Sequence, residues 1–337
     1  MSSGGRPGNL FTRAIVLVPE TLIVECIMQD SSSCPVRHIV LAGASLVLMT
    51  LGGCNDSSSD EEVGRMTLSI TDSPVTDAEQ VWIEFTGVEV KARAEGAPEV
   101  FDFDTPRQIN LLALDGGGSE ILLDNVLLPA GEYEWIRLKV NAGLDGSDSY
   151  VVTTSGGEVP IFIPSGNETG LKLVSGFTVG VGSIVDYTID FDLRQSLTWA
   201  SGLGDVYTLK PALRLVDNLE VGVIAGTVGE PHRTRIADGT CIPAVYLYTG
   251  SVDTPDDYGS ATAPPLASTA VNLNDATGDY VYRLAFVPAG SYTVALTCDA
   301  DADLGATDEA PDVVAFIDPQ AVTVAAGVTE TVNFPAG

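Results

Sequence analysis

The chain has 337 residues, a formal net charge of −30, 45% apolar residues and only 18% charged ones. A polymer of that sign is repelled by phosphate backbones, which excludes nucleic acid as a partner. The apolar share excludes a disordered chain, and the length leaves room for two domains.

Residues 1–27 hold two apolar stretches, Ala14 to Pro19 and Thr21 to Val24, interrupted at Pro19 and Glu20. Met28 would start a conventional signal sequence, with Arg37 as its positive charge and Ile39 to Met49 as its apolar core. Translation is therefore expected to begin at Met28, with residues 1–27 an over-long gene start; a genuine cytoplasmic extension is the alternative. The apolar run is too short to cross a hydrocarbon core of ~30 Å without help from its flanks. It closes on Leu51-Gly52-Gly53-Cys54 and opens on Asn55-Asp56-Ser57-Ser58-Ser59-Asp60-Glu61-Glu62. An uncleaved anchor helix is the rival, but paired glycines and an acidic, serine-rich tail suit processing and a linker better.

Leu-small-small-Cys resembles the lipobox of bacterial lipoproteins. The resemblance implies cleavage after Gly53, a diacylglyceryl thioether on Cys54 and acylation of the new amine, with membrane lipid as the partner. Lipid contributes about 0.8 kcal/mol per buried methylene, so several acyl chains would hold the protein on the cell envelope durably. Asn55 is not the aspartate that this family associates with inner-membrane retention, so the outer membrane is favoured over the inner. Removing residues 1–53 discards Arg6, Arg13 and Arg37 together with Glu20, Glu25 and Asp30, and the mature chain keeps the whole −30.

Residues 54–65 have the composition of a tether. Strands are expected from Met66, where Met66, Leu68 and Ile70 alternate with Thr67, Ser69 and Thr71. Val81 to Val90, Glu120–Leu128 and Tyr133–Val140 follow, with a turn at Asp115-Gly116-Gly117-Gly118. Val185, Tyr187, Ile189 and Phe191 alternate with Asp186, Thr188, Asp190 and Asp192, the clearest period of two in the chain. No apolar stripe persists at helical spacing after the signal, so the class is all-β, two β-sandwiches in tandem.

Leu68-Ser69-Ile70-Thr71-Asp72-Ser73-Pro74-Val75 and Val81-Trp82-Ile83-Glu84-Phe85-Thr86-Gly87-Val88-Glu89-Val90 resemble the opening of a bacterial lipoprotein family known as a domain of unknown function. Ile109-Asn110-Leu111-Leu112, Leu128-Pro129-Ala130-Gly131-Glu132-Tyr133 and Leu209-Lys210-Pro211 continue the pattern, which sets a first domain at 66–217. The family implies a lipid-anchored β-rich domain and no catalytic residues. In the second, at 219–337, Thr277-Gly278-Asp279-Tyr280 and Val287-Pro288-Ala289-Gly290-Ser291-Tyr292 precede strands in an order similar to carboxypeptidase regulatory-like and Cna B-type domains. Those are prealbumin-like sandwiches that serve as stalks and spacers and sometimes bind sugars. Pro-Ala-Gly-x-Tyr occurs in both domains between one strand and the next, a folding device in which proline and glycine make the turn and tyrosine packs inward.

Candidate chemistry is sparse. Cys241 and Cys298 are the two cysteines left beyond Cys54, and in an exported domain they read as a disulfide. The loop so closed would be worth about 4 kcal/mol on the chain-entropy model. Past the signal the single histidine is His232, expected on a solvated polar loop without a nucleophile pattern around it. A glycosidase would need two facing carboxyl groups, and Asp186, Asp190 and Asp192 share one strand face, read here as a solvated one. Asp299, Asp301 and Asp303, followed by Asp308, Glu309 and Asp312, could aim oxygens at calcium. Leu304 and Ala310 stand where an EF-hand wants glycine and glutamate, so an acidic solvated loop is favoured and no cofactor but calcium is in view. Tyr246, Tyr248, Tyr280 and Tyr282 could stack on sugar rings, against the simpler reading that they fill a small core. The expected role is a non-catalytic binding or spacer module on the envelope, with a glycan or an envelope protein as partner. The alternative is a polysaccharide-binding or polysaccharide-active surface protein. Mass spectrometry of the intact precursor checks the start: a species beginning at Met28 is expected, and a peptide from residues 7–13 would contradict it.

Overall fold

The computed structural model describes residues 14–17, 23–26, 62–73, 78–163, 170–200, 205–210, 212–260, 263–303 and 314–335. The chain divides into two compact units, Met1–Ser58 and Ser59–Gly337. In the first, Ala14–Leu17 and Ile23–Cys26 pair as antiparallel strands on the two apolar stretches around Pro19. The signal core and Cys54 lie outside the described residues.

The second unit is built almost wholly of strands, and none of its described helices is long and apolar enough to cross a membrane. It contains two sandwiches. In the first, a four-stranded sheet runs in the order Leu213–Asp217, Ile184–Asp192, Val63–Ser73, Glu120–Pro129. Val63–Ser73 lies parallel to Ile184–Asp192 on one side and antiparallel to Glu120–Pro129 on the other. The facing nine-stranded sheet is centred on Ala78–Ala92 and Gly131–Asn141. Met66, Leu68 and Ile70 from one sheet and Ile83, Phe85, Val88, Ile136 and Leu138 from the other enclose a shared core.

Two departures from simple alternation have local causes. The first strand begins at Val63, ahead of the expected Met66 and inside the span 54–65 expected as a tether. Glycine and arginine at 64 and 65 mask the period, yet Gly64 is buried against Val179 and Gly180, where a side chain would not fit. In Ala78–Ala92 the inward set shifts from Val81, Ile83, Phe85 to Val88, Val90, because the register with both neighbouring strands slips at Gly87. This is a β-bulge, and glycine fits it because a Cβ there would strike the Phe101 carbonyl.

The second sandwich faces Asn272–Asn274, Asp279–Pro288, Val221–Val228 and Thr329–Thr331 against Ala267–Ala270, Ala244–Thr249, Gly290–Thr297 and Phe316–Val324. Ile224, Leu284, Val245, Leu247, Val294 and Phe334 form its core. Gly226 is needed within its strand because a Cβ would fall on the Val332 carbonyl of the parallel neighbour.

The repeated Pro-Ala-Gly-x-Tyr segment does the same job twice. It carries the chain from Glu120–Pro129 across to Gly131–Asn141 in the facing sheet, and from Asp279–Pro288 across to Gly290–Thr297. The tyrosine folds back on the corner in both: Tyr133 Oη donates to the Pro129 carbonyl at 2.8 Å, and Tyr292 Oη to the Pro288 carbonyl at 2.8 Å. Each hydroxyl gives a partner to the carbonyl of the proline that ends its strand. Tyr133→Phe and Tyr292→Phe are each expected to lower stability by about 1 kcal/mol, a net hydrogen bond, in urea denaturation. Unchanged midpoints would show the corners hold by packing alone.

Candidate functional site

The polar side chains worth examining meet where the two sandwiches abut. Asp192 ends the strand Ile184–Asp192 and caps the turn Leu193–Ser196, accepting from Gln195 N at 3.0 Å and Gln195 Nε2 at 2.8 Å. The turn projects Arg194 out of the first sandwich and into the second. There its Nη1 donates to the carbonyls of Asp303 at 2.9 Å and Ala300 at 3.2 Å, with the Asp303 carboxylate 3.6 Å away. The guanidinium lies 5.9 Å from the ring centres of both Tyr246 and Tyr258. Tyr246 Oη donates to Asp303 Oδ2 at 2.6 Å, and Tyr258 Oη bonds the Ser268 hydroxyl at 3.2 Å. The Arg194 side chain is 5% exposed and that of Asp303 0%. A buried charge must be paired and hydrogen-bonded; Arg194 Nη1 meets that demand across the seam, while its Nε is buried without a hydrogen-bond partner.

A second contact joins the sandwiches, with Thr269 Oγ1 donating to Asp115 Oδ1 at 3.1 Å. Asp115 sits in the turn expected at Asp115-Gly116-Gly117-Gly118, and burial pushes its carboxyl above the ordinary range.

The three aspartates read as a solvated face are not one. Asp190 is buried and paired with Arg214 through Nε at 3.2 Å and more closely through Nη2. Asp186 Oδ1 accepts from Asn218 Nδ2 at 2.8 Å, and Asn218 Oδ1 accepts from Thr188 Oγ1 at 2.9 Å. Ile184–Asp192 is an inner strand buried over Thr188–Phe191, which alternation alone does not distinguish from a half-exposed one.

The acidic loop after Cys298 is the receptor for Arg194. Cys241 and Cys298 are bonded as a disulfide. Asp299 Oδ2 accepts from Ala315 N at 3.2 Å, Asp301 is exposed, and Asp303 points inward to Tyr246 and Arg194. Among the described residues no group of three or more His, Cys, Asp or Glu side chains is placed to hold a metal. Asp308, Glu309 and Asp312 lie outside them.

His232 is also not on a solvated loop. It is buried, and it opens the short helix His232–Ala237, where Thr234 Oγ1 donates to Glu230 Oε2 at 2.8 Å. The tyrosines make no sugar platform. Tyr246 and Tyr248 are interior residues of one sheet, while Tyr280 and Tyr282 belong to the opposite sheet, with Tyr282 buried as well. Tyr248 Oη donates to the Asp256 carbonyl at 2.7 Å and Tyr282 Oη to the Val332 carbonyl at 2.7 Å.

Two cavities border the seam. One of about 20 Å³ is lined by Asp72, Asp115, Asp190 and Thr269, room for about one water. The other, about 300 Å³, is lined by Phe177, Tyr187, Leu215, Asp217, Glu220 and Pro288. Among the described residues, burial raises the carboxyls of Asp115, Asp192 and Asp257, and none of these lines the larger cavity. A raised acid facing a second carboxylate across a sugar-sized cleft is therefore not assembled here.

Sequence reasoning missed Arg194 and Tyr258. Arg194 carries a weak signal, being one of only 16 basic residues, placed directly after the aspartate-rich strand. Burial lifts Asp192 to about 6, with Asp190 adding repulsion and the Gln195 bonds and Arg194 opposing it. A carboxyl whose folded pKa exceeds its unfolded value of about 3.9 stabilises the fold when protonated, fully below pH ~4, and this is lost as pH rises through ~6. Asp192→Asn keeps a capping oxygen without the charge. It is expected to raise the melting temperature at pH 7 and flatten the change between pH 4 and 6; an unaltered profile would contradict this.

No curated protein is significantly similar to the chain. Among solved structures, the Bacillus anthracis TIE protein is 11% identical with a TM-score of 0.18, over 82% of this chain and 34% of that one. This chain thus spans about a third of that protein's length. GBS52, the minor pilin of Streptococcus agalactiae, is 12% identical with a TM-score of 0.17, over 80% and 94% of the two chains. A fimbrial protein from Bacteroides ovatus is 9% identical with a TM-score of 0.19, over 82% and 49%. Likeness at that level carries no weight for function, and the architecture rests on the strands themselves. Residues 63–211 match the family described as "Domain of unknown function (DUF4382)", a match that covers the first sandwich short of its strand Leu213–Asp217 and less than half of the chain.

Proposed function

We propose that this protein is a lipid-anchored, non-catalytic module of the bacterial envelope, a spacer that holds a binding surface at a fixed distance from its membrane. The observation that carries the reading is the seam. Arg194, Asp303 and Tyr246, the groups best suited to chemistry, are buried in one another and join the two sandwiches. Asp115 is engaged across the same seam, and Asp190 is paired with Arg214 within the first sandwich. Polar groups so committed make a joint, which supports a structural use for them.

The anchor is Cys54 in this reading, after a signal peptide at 28–53, with the outer membrane favoured over the inner by Asn55. The strand at Val63 leaves eight residues, 55–62, as the tether, at most about 27 Å when fully extended. The partner would be a glycan or another envelope protein, and the likeness of residues 219–337 to prealbumin-like stalks fits that use. Labelled palmitate fed to cells making the protein is expected to enter wild type and not Cys54→Ala. Cys54→Ala should also move out of the membrane fraction; absence of label, or a mutant that stays bound, would overturn the anchor.

A further inference from the structure

We propose that the Cys241–Cys298 disulfide determines whether the two sandwiches behave as one rigid body. Ala300 and Asp303, whose carbonyls receive Arg194, lie two and five residues beyond Cys298. At Thr297 the chain leaves its strand, and two backbone bonds hold the following segment beside Cys241: Ile242 N to Cys298 O at 2.9 Å, and Ala300 N to Ile242 O at 3.1 Å. The disulfide fixes this segment at its root, and Tyr246 fixes Asp303 at its far end. With the bond closed, two carbonyls and one carboxylate are fixed in the geometry that a buried guanidinium requires.

Closing the bond removes one hydrogen from each thiol, and the two protons and two electrons pass by thiol–disulfide exchange to a disulfide-bearing carrier. A dithiol reverses the exchange, becoming oxidised as it returns two thiols to the protein. Once reduced, the loop loses its covalent tie at the root, keeping there the two backbone bonds and the bond from Ala315 N to Asp299 Oδ2, and its carbonyls drift from Arg194. A guanidinium left buried without partners is costlier than one in water, so the seam opens. The sandwiches then turn about the covalent link between Asp217 and Val221, where Leu219 and Glu220 are exposed. The spacer is stiff in an oxidising compartment and jointed in a reducing one.

The inference deepens the spacer reading, but its assay does not depend on the anchor. The full mature protein in detergent is treated with a glutamate-specific protease, and nicking after Glu220 is timed with and without dithiothreitol. Reduction is expected to speed nicking by about tenfold or more, since breaking a buried ion pair opens the seam. Oxidised Arg194→Met should be nicked as fast as reduced wild type, and reducing that variant should add little. Equal rates for oxidised and reduced wild type would overturn the proposal, as would slow nicking of oxidised Arg194→Met. Hydrogen exchange at the Val245 and Leu247 amides separates opening from unfolding. Protection is expected to survive reduction, and its loss would mean that the bond holds the second sandwich and not the seam.

Discussion

One guanidinium in a low-dielectric seam is the constraint on which the arrangement of the second unit turns. A chain with a net charge of −30 gives its two halves every reason to stay apart. At the contact the first sandwich brings Asp72, Asp115 and Asp190 and the second brings Asp257 and Asp303. Arg194 crosses to the second sandwich and Arg214 neutralises Asp190 from beside it, so the few cations are spent where acidic surfaces are pressed together. Tyr246 and Tyr258 add polarisable ring faces near the buried charge, which lowers the cost of removing it from water.

The seam also explains the absence of an open acidic cleft among the described residues. Several side chains that a chemist would nominate for acid–base work, metal ligation or sugar stacking are turned inward and hydrogen-bonded. Asp303 accepts a phenol and faces an arginine, and Tyr248 and Tyr282 give their hydroxyls to carbonyls. Burial raises the pKa values of the Tyr248 and Tyr282 hydroxyls. The disulfide belongs to the same economy, because it steadies the loop that Arg194 needs.

Much of the fold was legible because period-two alternation is a local property. The strands at Val81, Glu120, Tyr133 and Val185 could be placed from it, and the Pro-Ala-Gly-x-Tyr corners from turn chemistry. What alternation cannot carry is the identity of whatever covers the second face. Asp190 looked solvated because nothing near it in sequence announces Arg214 or the neighbouring sandwich. Asp303 read as one carboxylate of an acidic solvated loop, with calcium the rival, because its partners, Tyr246 and Arg194, lie 57 and 109 residues away. The Gly87 bulge was hidden for the opposite reason: it is local, but it is a change of phase, and short windows on either side read as perfectly regular.

The position of Val63–Ser73 has a mechanical consequence. It is the strand through which the chain enters the first sandwich, and it is an inner strand, bonded to a neighbour along both sides. Traction applied at Glu62 would be directed along that strand's axis, so the rungs on either side would be sheared together and not peeled one after another. Nine paired positions toward Ile184–Asp192 and the matching ladder toward Glu120–Pro129 would have to fail nearly at once. In a protein held at Cys54, as proposed, the pull would reach this inner strand first, where an edge strand in the same place would unzip.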